Sequence, residues 1–254
     1  MTLTRKQAEI RSRERRILQL ARPMIARDGL AGLSMEAVAK QMAYAKGTIY
    51  NHFSCKEEIL LALAIQANEK RLELFTVAAE QQSASRDKIS AIGVACEEFR
   101  LRFADLFEID CMVRHATVWE KASEQRRDTL AVCEQRCMTL LSEIGHQAIT
   151  AGELKLSAGT RIEEVVFGLW SLTYGGMVID VSSPGLDRIG IQDCLVAIRK
   201  NCHALMDGFG WQPLYDAQLD RQFVAGVRAL LQRSIKESVV DPRPGDAAPV
   251  GDAS

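Results

Sequence analysis

The stretch from Ser34 to Phe53, SMEAVAKQMAYAKGTIYNHF, has the pattern of two short helices separated by a tight turn. Ser34 is a favourable N-cap, because its hydroxyl oxygen can accept a hydrogen bond from a free backbone N–H of the first helical turn. Val38, Ala39 and Met42 then repeat at helical spacing on one face, and the next three residues interrupt that repeat. The pattern predicts helix, turn and helix.

The second helix of this stretch has one apolar face and one polar face. Ile49 and Phe53 are four residues apart and therefore lie on the same side of the helix. The opposite side carries Lys46, Thr48, Tyr50, Asn51 and His52. No acidic residue occurs between Glu36 and Glu57. A short helix with these properties is typical of the recognition helix of a helix-turn-helix.

Residues 17–61 resemble the DNA-binding domain of TetR-type transcriptional repressors. The resemblance is carried by Lys46-Gly47-Thr48-Ile49-Tyr50-Asn51-His52-Phe53, followed by Lys56-Glu57. The chain departs from the family pattern at Ala43, because the family usually has Gly in this turn. An Ala in the left-handed region costs ~1 kcal/mol, so we expect a turn of slightly different shape.

The resemblance implies two groups of DNA-contacting residues. The residues that would contact phosphates are Ser34, Tyr50, Asn51, His52 and Lys56. The residues that would face base edges are Ala45, Lys46, Gly47 and Thr48. Lys46 can donate to guanine acceptors, whereas the methyl group of Thr48 can meet thymine or its hydroxyl a phosphate. The alternative for Tyr50 and His52 is that they pack on neighbouring side chains.

The charge of the chain is divided unevenly. Residues 1–56 hold eleven Lys and Arg against four Asp and Glu, whereas the remainder holds 21 against 29. A basic N-terminal part on an acidic body indicates a polyanionic partner for the N-terminal part only.

The N-terminal residues before the motif form two further segments. We expect residues 1–11 to be a mobile basic arm and residues 12–28 to form an amphipathic helix that ends at Gly29. Pro23 lies inside that helix and removes one backbone hydrogen bond, so a kink or an irregular turn is expected there.

The rest of the chain has helical periodicity without strand-type alternation, which predicts an all-α protein. A long helix begins near Lys56, and further helices are expected at 87–107, 112–122, 125–150, 161–181, 191–209 and 215–236. We predict four parts: an arm at 1–11, a helix-turn-helix DNA-binding domain at 12–56, a helical effector-binding and dimerisation domain at 57–238, and a disordered tail at 239–254.

Two functional surfaces are expected in the helical body. By family resemblance it holds an effector cavity, for which the candidate lining residues are Phe99, Phe103, Phe107, Trp119, Trp170 and Tyr174. The alternative is that these aromatic residues are ordinary core. The candidate dimer interface consists of Leu169, Thr173, Leu195, Ile198, Cys202 and Leu205, and Gly168, Gly175 and Gly176 would allow close helix approach.

Catalytic, metal and membrane functions have little support in the sequence. The four His residues show no HExxH spacing, and no GxSxG, Walker or dinucleotide motif occurs. Cys133 with Cys137 and Cys111 with His115 have a four-residue spacing, but core packing is the favoured explanation, and a thiol sensor is the main alternative. We predict no cofactor and no metal. Seven scattered Cys and no expected membrane span are consistent with the cytoplasm.

Together these features predict a cytoplasmic, homodimeric repressor that binds a palindromic operator in double-stranded DNA. An unknown small-molecule effector would release it. The alternative keeps the DNA-binding part but makes the body a protein-interaction or nucleoid-organising module without a small ligand.

Overall fold

The computed structural model describes residues 4–240, and the secondary structure of this part of the chain is helical throughout, as predicted. The helices are α1 Arg5–Gly32, α2 Met35–Gln41, α3 Lys46–Tyr50, α4 Lys56–Glu80, α5 Ser85–Arg102, α6 Ala104–Met112, α7 Ala116–Lys121, α8 Glu124–Ala151, α9 Ile162–Ser182, α10 Cys194–Gly208 and α11 Ala217–Val240. A 3₁₀ turn at Leu186–Ile189 lies between α9 and α10. The predicted tail falls mostly at 241–254, outside the described residues.

α1 begins earlier than expected. Thr4 caps it: its hydroxyl oxygen accepts from the Gln7 N–H at 3.3 Å, and the Gln7 side chain accepts from the Thr4 N–H at 2.9 Å. This reciprocal capping box satisfies two N–H groups that would otherwise lack partners. The expectation of a mobile arm is therefore wrong for residues 5–11, which form the first turns of α1.

The irregularity in α1 lies at Gly29 and not at Pro23. The backbone keeps helical dihedral angles through Pro23, and the break is at Gly29, with φ 65° and ψ −171°. Pro23 and Gln19, whose carbonyl would have accepted the missing N–H, are both on the exposed side of α1. Water can bond to that carbonyl, so the proline is tolerated without an irregular turn.

The helix-turn-helix packs around a fully apolar centre. Ile49 of α3 and Phe53, three residues beyond its end, are 0% and 1% exposed, so both lie on the buried side and anchor this segment, as their spacing predicted. They lie in one core with buried side chains of α1, α2 and α4, including Ile17, Ala21, Ile25, Val38 and Leu60. Burial of these side chains holds α3 in one orientation, because each large apolar side chain contributes roughly 1.5–3 kcal/mol when removed from water.

The turn between α2 and α3 is a helix C-terminal motif with Ala43 in the left-handed region, at φ 54°. The Ala43 N–H donates to the Lys40 carbonyl at 3.2 Å, and the Tyr44 N–H donates to the Ala39 carbonyl at 2.9 Å. These are the two bonds of a Schellman motif, whose left-handed position normally holds Gly. The chain thus keeps the usual turn geometry and bears the steric cost of a Cβ.

We expect Ala43→Gly to raise the free energy of unfolding by about 0.5–1 kcal/mol, because Gly adopts this conformation without a Cβ clash. Urea denaturation of the two proteins measures the difference. Ala37→Gly is the matched control, since Ala37 has ordinary helical geometry in α2 and its replacement should destabilise by about 0.5–1 kcal/mol. Destabilisation of both variants alike would contradict the assigned strain.

The described chain divides into two compact units. The first comprises the described residues up to Leu72 together with Phe99–Leu141 and Met177–Ser182. The second comprises Glu73–Glu98, Ser142–Gly176 and the described residues from Ser183 onward. The boundary predicted at residue 56 between DNA-binding and effector domains is a functional division and stays a prediction.

Within the first unit, ion pairs connect α1 to α6 and α4 to α8. Arg22 of α1 donates to Asp105 of α6, with Nη2 2.7 Å from Oδ1, and this guanidinium holds the pKa of Asp105 below its ordinary value. Burial would raise the pKa of Glu58, but the Ser123 N–H and Arg126, whose Nε lies 3.2 Å away, together hold it below its ordinary value. α4 is thus joined to the start of α8.

Within the second unit, α9 and α10 pack closely. A Cβ on Gly176 would lie 2.5 Å from Cγ1 of Ile198, so this position requires glycine. Thr173 Oγ1 and Cys202 Sγ are 3.4 Å apart on the same seam. Close helix approach at Gly176 is as predicted, and the partner helix is α10 of the same chain.

A buried ion-pair group joins α5, α10 and α11 of the second unit. Glu97 is 3% exposed and lies 3.5 Å from Arg199 Nη1 and 2.8 Å from Arg228 Nη2. Burial raises the pKa of Glu97, although both arginines oppose the shift. Because a buried carboxylate is tolerated only when paired, these arginines hold the three helices in one arrangement.

Candidate nucleic-acid interface

The outer side of α3 and the residue before it form a continuous exposed surface, which we call the recognition face. It consists of Ala45, Lys46, Gly47, Thr48, Tyr50 and Asn51, of which Thr48 is half-buried and the others are exposed. The buried Ile49 and Phe53 lie on the opposite side of the same helical segment. Six of the nine predicted DNA-contacting residues are therefore brought together on one surface.

Two further predicted phosphate contacts lie at the starts of neighbouring helices. Ser34 caps α2 by accepting from the Ala37 N–H at 3.2 Å, which leaves its hydroxyl hydrogen free to donate elsewhere. Lys56 begins α4, and its Nζ donates to the Ala31 carbonyl at 3.4 Å. An ammonium group has three donors, so this contact still allows a phosphate contact.

His52 is not part of the recognition face. Its side chain is only 9% exposed, and Nδ1 lies 3.7 Å from Oε1 of Glu14 on α1. The ring therefore packs against the first helix, which is the alternative that the sequence left open for this residue. Tyr50, in contrast, is 42% exposed.

Lys46 is held by an acidic residue that the sequence pattern did not connect with it. Its Nζ forms an ion pair with Oε1 of Glu36 in the first turn of α2. The ammonium also lies 5.9 Å from the centre of the Tyr50 ring. The hydrogen bond to Glu36 raises the pKa of Lys46, and the same bond lowers the pKa of Glu36. The stretch from Ala37 to Lys56 thus contains no acidic residue, but the carboxylate of Glu36 contacts the recognition face.

A polar cavity of about 470 Å³ borders the end of α3. Tyr50, Asn51 and His52 line one side, and Gln125 and Thr129 of α8 line another. These α8 residues lie beside the candidate phosphate contacts although more than 70 residues separate them in sequence. No local motif could have indicated this neighbourhood.

The six candidate effector-pocket residues are divided between the two units. Phe99 and Phe103 stack at 5.8 Å between ring centres in the first unit, with the Arg71 guanidinium 5.1 Å from the Phe99 ring. Phe107 is buried, whereas Trp119 is 37% exposed. In the second unit, the Trp170 and Tyr174 rings are 6.2 Å apart. The same Arg71 pairs with Asp110 at 2.9 Å, and Asp110, which is 0% exposed, accepts from Asn68 at 3.2 Å; the sequence pattern did not indicate these polar groups.

The six candidate interface residues line the seam between α9 and α10 of a single chain. Leu169 and Ile198 are 5% and 8% exposed, and Leu195, Thr173, Cys202 and Leu205 are half-buried. The large apolar side chains of α9 that are exposed are Phe167 at 60%, Leu172 at 36%, Ile179 at 51% and Val181 at 47%. Four of the six candidates thus remain partly accessible beside the α9–α10 seam, and their place in a dimer interface stays a prediction.

Several of the cysteines lie in surroundings that disfavour the thiolate. No disulfide joins the seven of them, all of which lie in the described residues. Burial raises the pKa of Cys137 to about 11, and it also raises the pKa of Cys133 and Cys202. No group of three or more potential metal ligands occurs in the described part of the chain. For Cys133, Cys137 and Cys202 these observations favour core packing over thiol sensing.

An all-helical chain with an exposed recognition face on an anchored three-helix unit is a helix-turn-helix DNA-binding protein. Residues 17–63 match the family described as bacterial regulatory proteins, tetR family. The HTH-type transcriptional regulator UidR of Escherichia coli (strain K12) is 36% identical over 187 residues, which cover 72% of this chain and 88% of that protein. The chain belongs to the TetR family of transcriptional regulators, and these relatives are regulators and not enzymes.

Solved structures share the fold at low sequence identity. The transcriptional regulator FadR from Bacillus subtilis, in complex with stearoyl-CoA, has a TM-score of 0.57 at 20% identity and covers 76% of this chain and 98% of its own. A putative transcriptional regulator from Saccharomonospora viridis, in complex with choline, has a TM-score of 0.57 at 17% identity, covering 76% and 95%. These likenesses establish the helical architecture.

Proposed function

We propose that this protein is a cytoplasmic, homodimeric repressor that binds a palindromic operator and is released by a small-molecule effector. The observation that carries the DNA-binding part is the recognition face, presented on α3 by the buried anchors Ile49 and Phe53. Ala45, Lys46, Gly47 and Thr48 would face base edges in the major groove. Ser34, Tyr50, Asn51 and Lys56 would contact phosphates and set the register of α3.

His52 has a different place in the proposed complex. In its observed position it supports α3 against Glu14 and does not face outward. A phosphate contact would require the ring to leave this contact when DNA binds. We therefore assign it a positioning role in the free protein.

A dimer is supported by the exposed apolar surface of α9. Phe167 and Leu172 lie on it, and an apolar surface of this kind marks an interaction site. By length and composition α9 would also fit a membrane span, with a mean hydropathy of 1.4 in a window that is 22% buried. The ion pair of Asp180 with Arg100 and the packing of Ile198 on Gly176 favour a helix packed in protein. A second copy would cover the surface around a two-fold axis.

An effector site is proposed near the stacked Phe99 and Phe103. Both rings have a cation beside them, since Lys70 Nζ lies 5.5 Å from the Phe103 ring and the Arg71 guanidinium 5.1 Å from the Phe99 ring. Apolar surface with a few oriented polar groups is typical of small-molecule sites. The ligands of the solved neighbours, stearoyl-CoA and choline, are chemically unlike one another, so the fold leaves the effector class open.

Coupling between effector and DNA would use the contacts of the first unit. Arg22–Asp105 joins α1 to α6, and Glu58–Arg126 joins α4 to α8. An effector can shift the position of α1 and α4 only as far as it prefers one arrangement of α6 and α8 over another. Such coupling typically amounts to about 1–3 kcal/mol, or roughly 5–150-fold in operator affinity.

Selection of bound fragments from the source genome tests the proposal. The purified protein should enrich fragments that contain a palindrome, and fluorescence anisotropy should give an affinity for them about 10³-fold or more above that for random DNA at one salt concentration. Enrichment without any shared sequence would contradict a sequence-reading repressor and favour a nucleoid-organising protein.

The effector part has a separate test. A metabolite panel screened by thermal shift should identify a ligand that lowers operator affinity. Operator DNA must then lower the affinity for that ligand by the same factor. A ligand that binds without changing operator affinity would contradict its role as effector.

A further inference from the structure

Glu36 is an acid placed at a surface that the proposed function assigns to a polyanion. It is the single acidic residue between Ser34 and Lys56. Its side chain is 69% exposed and its partner Lys46 is 52% exposed, so burial does not force them together. Glu36 is the second residue of α2, where the helix dipole stabilises a negative charge. This is the purely structural explanation for an acidic residue at this position. That explanation does not account for its pairing with the first residue of α3.

The pair restricts where the Lys46 ammonium lies. Glu36 accepts one of its N–H groups, and the Tyr50 ring lies 5.9 Å away on the following turn. An ammonium has three donors, so one bond to Glu36 leaves two for the adjacent N7 and O6 acceptors of a guanine. Lys46 can therefore read a guanine without releasing Glu36.

A phosphate contact by Lys46 has different requirements. A free lysine swings on a flexible four-carbon stem and can reach phosphate oxygens at any sequence. While Lys46 is bound to Glu36, its ammonium lies beside a carboxylate that repels phosphate oxygens. The ion pair consequently weakens a contact of Lys46 with phosphates, which is independent of sequence, more than it weakens a contact with a base edge.

We propose that Glu36 is a specificity-determining residue, which positions Lys46 toward the base edges and keeps it from binding phosphates at random sequences. The inference rests on the proposed DNA-reading role of α3. It goes beyond that role by assigning discrimination to a residue of α2 that need not contact DNA.

The test compares Glu36→Gln with the wild-type protein on operator and on random duplex. Operator affinity should stay within about twofold, because the guanine contact remains, whereas random-DNA affinity should rise about two- to fivefold once Lys46 is released. The salt dependence on random DNA should steepen by about one unit of log–log slope, corresponding to one added phosphate contact. A merely structural role in α2 would not change that slope.

Two controls separate this effect from a change in net charge. Glu9→Gln removes the same charge from α1, where Glu9 pairs with Arg5 and Arg13. It should change the affinities for operator and for random DNA by the same factor. In a Lys46→Ala background, Glu36→Gln should no longer change the ratio of operator to random affinity. An equal rise on both DNAs, or a ratio change that persists without Lys46, overturns the role of Glu36 but leaves operator binding intact. Failure of the wild-type protein to prefer any sequence would overturn the proposed function itself.

Discussion

Replacement of Lys46 by Ala should lower operator affinity by roughly 5–150-fold while random-DNA affinity changes little. The operator loss corresponds to removal of a two-acceptor contact with guanine. Random DNA is insensitive because Glu36 already holds the ammonium away from phosphates in the wild-type protein. Fluorescence anisotropy with both duplexes at one salt concentration measures the two affinities.

Lys56→Ala is the matched lysine control for this prediction. Lys56 begins α4 and is assigned a phosphate contact, so its loss should weaken binding to all sequences alike and flatten the salt slope by ~1. Because its Nζ also donates to the Ala31 carbonyl, a thermal melt must show that the variant remains folded. Equal weakening of operator and random DNA by Lys46→Ala would show that Lys46 contacts a phosphate and not a base.

Phe167→Arg should convert the protein to monomers and reduce operator affinity about a hundredfold or more. Phe167 is 60% exposed in one chain, so an arginine there is compatible with folding but would be costly once buried against a second copy. Operator affinity falls because the two half-sites then bind separate molecules, without the effective concentration that a dimer provides. Light scattering at micromolar concentration gives the mass, and anisotropy gives the affinity.

Val132→Arg is the control for Phe167→Arg. Val132 of α8 is a similarly exposed apolar residue at 55%, and its replacement should leave both mass and affinity unchanged. A wild-type mass of one chain would contradict the dimer. Recovery of the wild-type protein in the membrane fraction would instead indicate that the apolar surface of α9 contacts lipid and not a second copy.

Ile198 is a less suitable position than Phe167 for a test of the dimer. An arginine at Ile198 would follow from apolar periodicity alone, since this residue lies in the apolar stripe of α10. Ile198 is 8% exposed and would contact a Cβ at Gly176, so an arginine there would separate α9 from α10 within one chain. Loss of DNA binding by that variant would report misfolding and not dissociation.

The sequence by itself determined the helical class and the polarity of the recognition helix. Helical spacing of Ile49 and Phe53 decides which side of α3 is buried, and the opposite side is then the exposed one. The Ser34 cap is likewise a local property, confirmed by its bond with the Ala37 N–H. Such features depend on residues within one or two helical turns, where spacing alone sets the geometry.

The tertiary structure alone decided which side chains from different helices meet. It placed Glu36 on Lys46, Glu14 against His52, and Ile198 of α10 against Gly176 of α9. Side chains that approach across helices depend on the angle and register of packing, which periodicity within one helix does not specify. For this reason the buried side of α3 could be read from the chain, whereas the inward position of His52 and the acid that pairs with Lys46 could not.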